Sequence, residues 1–231
     1  MVRIRSMPAL RPIARPLRPA STGCYDAGRA AALAGVPASL LTGPARRRVV
    51  VPSVSRERER LWSWTDLVAL RLAWVRIALG TDPGDPAAEV AGAVGEIDLE
   101  AAAGEGKARG GLIPIRRLAT DESGALLASK DEDGEPGHVD LFGVFQAADE
   151  DETTVRGPDL LRPRPHLRIV PGKLGGEPHV AGSRLPTRSI AALAGRGLGP
   201  AEISTLFLDQ TRAAIAEAID LERQLAGGAG Q

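Results

Sequence analysis

The sequence predicts an α+β fold in three parts: an N-terminal winged helix-turn-helix, a small β-rich middle, and a C-terminal β-hairpin followed by three short helices resembling a helix-turn-helix. Three observations lead there. Apolar residues recur at helical spacing near both ends of the 231-residue chain but gather in short β-prone runs between them. Turn formers separate those runs, with 27 Gly and 18 Pro in the chain. Aromatic residues make up only 3%, so the core must be built from Leu, Val, Ile and Ala, with three Trp as bulky members.

Residues 1–23 read as a flexible basic arm, and residues 24–80 as the first domain. There Asp26 is placed to cap a helix through Ala34, which Gly35-Val36-Pro37 breaks. Pro37 suits the first turn of a second short helix over residues 38–41. The run 46–51 is β-prone and stopped by Pro52, residues 56–60 form a hairpin tip, and Leu61-Trp62 is the returning strand. Ser63 opens a long helix, with Asp66 completing an S-x-x-D capping box. Its apolar stripe is Leu67, Leu70, Trp74 and Ile77, and Gly80 ends it. Residues 81–148 form the middle: a helix within 86–103, interrupted by Gly92 and Gly95, then strands over 112–119, 125–129 and 139–145. Residues 149–165 read as a linker, acidic and then rich in Pro and Arg. The last module, 166–226, begins with strands at 167–170 and 179–181 around a Gly-rich turn. Its helices cover 189–195 with Thr187 as cap, 200–207, and 210–225 with Asp209 as cap. Residues 227–231 read as a disordered tail.

The net charge of zero hides a segregation. Residues 1–80 hold 14 Arg and 4 acids, residues 81–159 hold 6 basic residues and 19 acids, and residues 160–231 hold 9 and 6. A basic head suits a polyanion, although balance between packed domains would give the same pattern. One cysteine, Cys24, rules out an internal disulfide framework and fits a reducing, cytoplasmic location. No apolar run reaches membrane-spanning length, and the Arg- and Pro-rich start lacks the apolar core of a secretion signal.

In the first domain Ala31, Gly35 and Leu41 meet the demands of a helix-turn-helix for a small crossing residue, a turn glycine and a returning apolar residue. Ser39 and Thr42 are the polar side chains available to base edges, and Arg46, Arg47, Arg48, Arg56 and Arg58 are suited to phosphates. The alternation of Arg and Glu over 56–60 also fits a solvated, self-paired turn. Tyr25-Asp26-Ala27, Ala34-Gly35-Val36-Pro37 and the run from Trp64 to Arg71 resemble the DNA-binding domain of VapB-type antitoxins, itself akin to the MerR helix-turn-helix. Two features depart from that pattern. Leu41-Thr42-Gly43 replaces an aromatic after the second helix, and the long helix is too short for the coiled coil of MerR regulators.

The stretch from Pro171 to Thr187 resembles the signature of a small bacterial domain of unknown function found alone or fused in antitoxins. It carries Gly175-Gly176-Glu177-Pro178, Gly182-Ser183-Arg184 and Leu185-Pro186-Thr187. Gly175 and Gly176 permit a turn closed to other residues, and Arg184 is suited either to stapling the hairpin or to a partner carboxylate. The last helix carries a net negative charge, unsuited to phosphate, and a seam of Ala214, Ala218, Leu221 and Leu225 suited to close helix packing, in dimerisation or toxin binding.

The resemblances imply a homodimeric antitoxin of a VapBC-type pair. It would bind operator DNA through residues 25–62 and, through its middle and C-terminal parts, hold a PIN-like ribonuclease toxin inactive, with Arg162, Arg164, Arg168 and Arg184 as candidate partner-binding residues. No enzymatic activity, cofactor or metal is expected, because three His and one Cys supply no spaced zinc set and no nucleophile elbow is present. A ligand-responsive regulator is the first alternative. The second is a metal-dependent nuclease using Asp131, Glu132, Asp133, Glu135 and Asp140.

Overall fold

Asp26 opens the first helix, α1 (Ala27–Ala34), with an extended backbone and a carboxylate that accepts the Arg29 N–H at 2.8 Å. Gly35 closes it in the left-handed conformation, φ 66° and ψ 41°, where its N–H reaches the Ala31 carbonyl. A single-turn helix, α2 (Ser39–Thr42), follows. This is a computed structural model; it describes residues 23–42, 50–55, 59–78, 84–87, 90, 112–115, 119–120, 126–127, 137–148 and 154–228. Isolated antiparallel bridges join Ser55 to Leu61 and Tyr25 to Trp62, so Leu61 and Trp62 pair with Ser55 and Tyr25 rather than with a strand over 46–51. The hairpin tip at 56–58 and the run 46–49 lie outside the described residues. Val50 and Val51 are irregular rather than strand, beside Pro52, which has no N–H to offer a ladder.

Helix α3 (Trp64–Ala78) starts with the expected capping box. The Asp66 carboxylate accepts the Ser63 N–H at 2.8 Å, and Ser63 Oγ accepts the Asp66 N–H at 3.2 Å. That carboxylate also takes the N–H and hydroxyl of Ser53 at 2.9 and 2.7 Å, which ties the cap to the segment before the hairpin. Residues 64–73 are buried on every face, Asp66 and Arg71 included, while Trp74 is half-buried and Ile77 is exposed. A narrow stripe therefore understates this helix, which runs through the centre of the fold.

The middle contains paired two-stranded antiparallel ladders. Strand β1 (Leu112–Ile115) pairs with β4 (Gly137–Asp140), and β2 (Ala119–Thr120) with β3 (Leu126–Leu127). Strand β5 (Phe145–Ala148) pairs with β6 (Thr154–Gly157), aligning Phe145 with Gly157. The single strand expected over 139–145 is broken, because the Asp140 carboxylate accepts the N–H groups of Phe142 and Gly143 and turns the chain. Of the helix expected within 86–103, Pro86, Ala87 and Val90 are helical and the remainder lies outside the described residues.

The expected linker is a packed part of the body. Residues 154–157 form β6, and Pro158, Leu160, Leu161 and Pro163 are buried. Trp64 Nε1 donates to the Leu160 carbonyl at 2.9 Å, and the Trp64 ring meets Phe142 edge-on at 5.1 Å. One hydrophobic core consequently runs from Tyr25 to Leu225 rather than separately through two domains.

The C-terminal part opens with β7 (Leu167–Arg168) paired to β8 (His179–Val180), followed by α4 (Thr187–Ala194), α5 (Pro200–Leu206) and α6 (Arg212–Gly228). Two caps differ from expectation. Thr187 lies inside α4 with Pro186 at the cap, because the Thr187 hydroxyl is engaged by Glu222 and the Pro178 carbonyl. Thr211, not Asp209, caps α6 by accepting the Ala214 N–H at 3.1 Å. Helix α6 packs against α4, α5 and α1.

Candidate nucleic-acid interface

The N-terminal corner has a buried inner side and a solvent side. Ala30 through Ala34 of α1, Val36 and Leu41 are buried and fix α2 against the core. Ser39 and Thr42 are exposed, and Thr42 Oγ1 donates to the Ala38 carbonyl at 3.0 Å within its own turn. The arginines expected to meet phosphate, Arg46, Arg47, Arg48, Arg56 and Arg58, lie outside the described residues. Glu59 at the hairpin base is exposed and Arg60 is half-buried.

Arg71 and Arg29, neither singled out by sequence, organise the inner side. Arg71 is fully buried and donates to the carbonyls of Leu33, Ala34, Leu141, Gly143 and Pro158 at 2.6–3.0 Å. Its guanidinium also stacks over Phe145, 5.1 Å from the ring centre. Burial lowers its pKa to about 9, against the pull of the Asp159 and Asp140 carboxylates, so it remains charged at neutral pH. One side chain thus collects the free carbonyls at the end of α1, the turn after β4 and the exit of β6.

Arg29 reaches the other way, toward the C-terminal part. Its Nη1 and Nη2 donate to both Glu222 oxygens at 2.7 and 2.8 Å, and Nη2 also donates to Glu177 at 3.0 Å. Arg188 pairs with the second Glu177 oxygen. Burial opposes the Arg29 charge, but the two carboxylates outweigh it and raise its pKa. Burial likewise opposes the Glu222 charge, and Arg29, Thr187 and Arg188 together hold that carboxyl below its usual range. Alongside, the Cys24 N–H donates to the Gly175 carbonyl at 2.9 Å and the Tyr25 hydroxyl to the Gly176 carbonyl at 2.7 Å. Burial raises the Tyr25 phenol and keeps it neutral.

The expected partner-binding arginines divide. Arg164 is bonded to Asp220 and Gln224, and Arg168 bonds the carbonyls of Pro165 and Leu167. Arg162 is half-buried, whereas Arg184 is exposed and meets no partner among the described residues, so it does not staple the hairpin. The acids of α6 are engaged as well: Glu217 accepts from the His166 N–H at 2.8 Å, and Asp220 holds Arg164. The dimerisation seam needs correction. Ala214, Ala218, Leu221 and Leu225 are 0–3% exposed because they face α6's own neighbours, which leaves no surface there for a second copy. Asp140 of the acidic cluster serves its local turn, and Asp131, Glu132, Asp133 and Glu135 lie outside the described residues. Among the described residues no group of His, Cys, Asp or Glu is placed to hold a metal, and no helix is long and apolar enough to cross a membrane.

Comparison with known proteins adds one finding. Residues 168–220 match the family model described as protein of unknown function, DUF433. The DUF433 stretch is under a quarter of the chain and runs from β7 into α6. It contains the Gly175–Glu177 loop, Thr187 and Arg188, while Glu222 and the whole N-terminal corner lie outside it. No curated protein and no solved structure matches the chain.

Proposed function

We propose that the chain is a DNA-binding protein of the antitoxin type, reading an operator with the corner formed by residues 25–62. In this reading α1 and α2 are a helix-turn-helix, and the Ser55–Leu61 bridge is the base of a wing. The observation that carries the reading is the two-sidedness of α2: Leu41 is fixed in the core while Ser39 and Thr42 face solvent. Such a short helix is held rigidly enough to present side chains to a groove. Arg46, Arg47 and Arg48 follow it directly in sequence, where guanidinium groups suit phosphates. The second activity, holding a PIN-like ribonuclease inactive, falls to the C-terminal part, with Arg184 as the candidate contact to an acidic active site.

A mobility shift on the DNA upstream of the chain's own gene tests the first half. Replacing Arg46, Arg47 and Arg48 together by Ala should weaken binding and flatten the slope of log affinity against log salt by about 2 to 3. Ser39→Ala with Thr42→Ala should erode discrimination between operator and random DNA instead. Failure of the wild-type chain to shift any duplex at low salt removes the reading. The second half is tested by co-purification with the product of a neighbouring gene and by loss of that product's ribonuclease activity in the complex. An Arg184→Glu chain that still binds and inhibits it would take Arg184 out of the contact.

A further inference from the structure

The cluster of Arg29, Glu177, Glu222, Thr187 and Arg188 draws in four separate segments. These are α1, the loop before β8, the start of α4 and the last turns of α6. Arg29 supplies the contribution from the N-terminal corner, and the side chains of Arg29, Glu177 and Glu222 are only 10–13% exposed. A two-pronged guanidinium–carboxylate contact fixes angle as well as distance, because both N–H groups must meet both oxygens in one plane. Arg29 lies on α1, one turn before the residues that lead through Gly35 into α2. Glu222 of α6 is thereby held against the helix that leads into Ser39 and Thr42.

We propose that the Arg29–Glu222 fork is a positioning contact that couples the N-terminal corner to helix α6, so that occupancy of the corner by DNA is felt along α6 and events at α6 alter DNA affinity. The inference rests on the DNA-binding reading above. Coupling between two sites is reciprocal in free energy, so each end reports on the other. Helix α6 has an outward face that includes Arg212, Ala216, Asp220 and Arg223, which is where a bound protein would act on it.

The test uses the full chain. Glu222→Gln and Arg29→Ala should each weaken operator binding about tenfold, within the range usual for coupled sites, although neither residue touches the corner's solvent side. Combined, they should weaken it little more than either alone, since both remove the same contact. Arg29→Lys keeps the charge but not the fork and should recover only part of the loss. Hydrogen exchange read along α6 should slow when operator duplex is added to the wild-type chain and not when it is added to Glu222→Gln. Unchanged DNA affinity in both single variants, with α6 exchange indifferent to DNA, would overturn the coupling. A wild-type chain that binds no duplex instead fails the functional reading. In that case faster exchange in α1 of Glu222→Gln still supports the fork as a positioning contact, and unaltered exchange there overturns it.

Discussion

At the scale of single residues, the most consequential side chains are those whose polar atoms close gaps that the backbone leaves open. Arg71 meets five carbonyls from three segments inside the core, out of reach of bulk solvent. Arg71→Met keeps the length and apolar volume but strands those acceptors, and should cost about 3 kcal/mol or more. Arg71→Lys should be nearly as harmful, because one ammonium with three donors cannot span the five positions. Urea unfolding checks both, and a midpoint close to wild type for Arg71→Met would show that the carbonyls have other partners. The paired glycines make a sharper contrast. Gly175 and Gly176 both have positive φ, 62° and 77°. A Cβ on Gly175 would meet nothing nearer than Cys24 at 3.8 Å, whereas one on Gly176 would collide with the Tyr25 hydroxyl. Gly175→Ala should therefore cost only the backbone strain, about 1 kcal/mol. Gly176→Ala should cost about 2 kcal/mol more, from the collision and the lost Tyr25 bond. Equal losses in thermal unfolding would mean that the loop does not press on Tyr25.

At the scale of elements, local chemistry made some parts readable and hid others. The Asp26 cap, the Gly35 stop and the Ser63–Asp66 box each depend on residues within a few positions, and all three form. The break of the strand at 139–145 also had a local cause, the Asp140 turn, but a run of Val, Leu and Phe masked it. The supposed linker misled for the opposite reason: its Pro and Arg content reads as exposed, while Leu160 and Leu161 fill the core and Asp159 turns the backbone through the N–H groups of Leu161 and Arg162. Nothing local marks Arg71 as buried, because only distant segments supply its carbonyls. For the corner, two exposed hydroxyl residues on an anchored turn were legible, but the Arg29–Glu222 contact spans 193 positions and leaves no local sign. Asp66 shows how a local cap acquires a wider task. It accepts from Ser63 and from Ser53, so Asp66→Ala should both weaken α3 by about 1 kcal/mol and free the segment before the hairpin. Hydrogen exchange should accelerate at Ser53 and Ser55 in that variant. Protection at Ser53 equal to wild type would confine Asp66 to its capping role.

At the scale of the whole molecule, the DUF433 stretch is physically incomplete in this chain. Its loop carbonyls receive Cys24 and Tyr25, and its Glu177 shares Arg29 with Glu222. The buried seam of α6 faces α4, α5 and α1 together, so the N-terminal corner and the C-terminal helices bury each other's apolar surface. Elements that share one core unfold together unless their mutual interface is weak, and this interface contains the buried hydrogen bond from Tyr25 to Gly176 as well as the charged fork. The placement of the aromatic residues offers a clean check. Trp62, Trp64 and Trp74 all lie on or just before α3, so tryptophan emission follows the packing around that helix and not α6. Amide exchange or an exposed-site label on α6 follows the C-terminal helix itself. In urea the two signals should trace one transition with the same midpoint and slope. Arg29→Ala should shift both downward together, because it weakens the shared unit rather than either half. Separate midpoints in the wild-type chain would mean two independently folding domains, and coupling between the corner and α6 would then lose its structural basis.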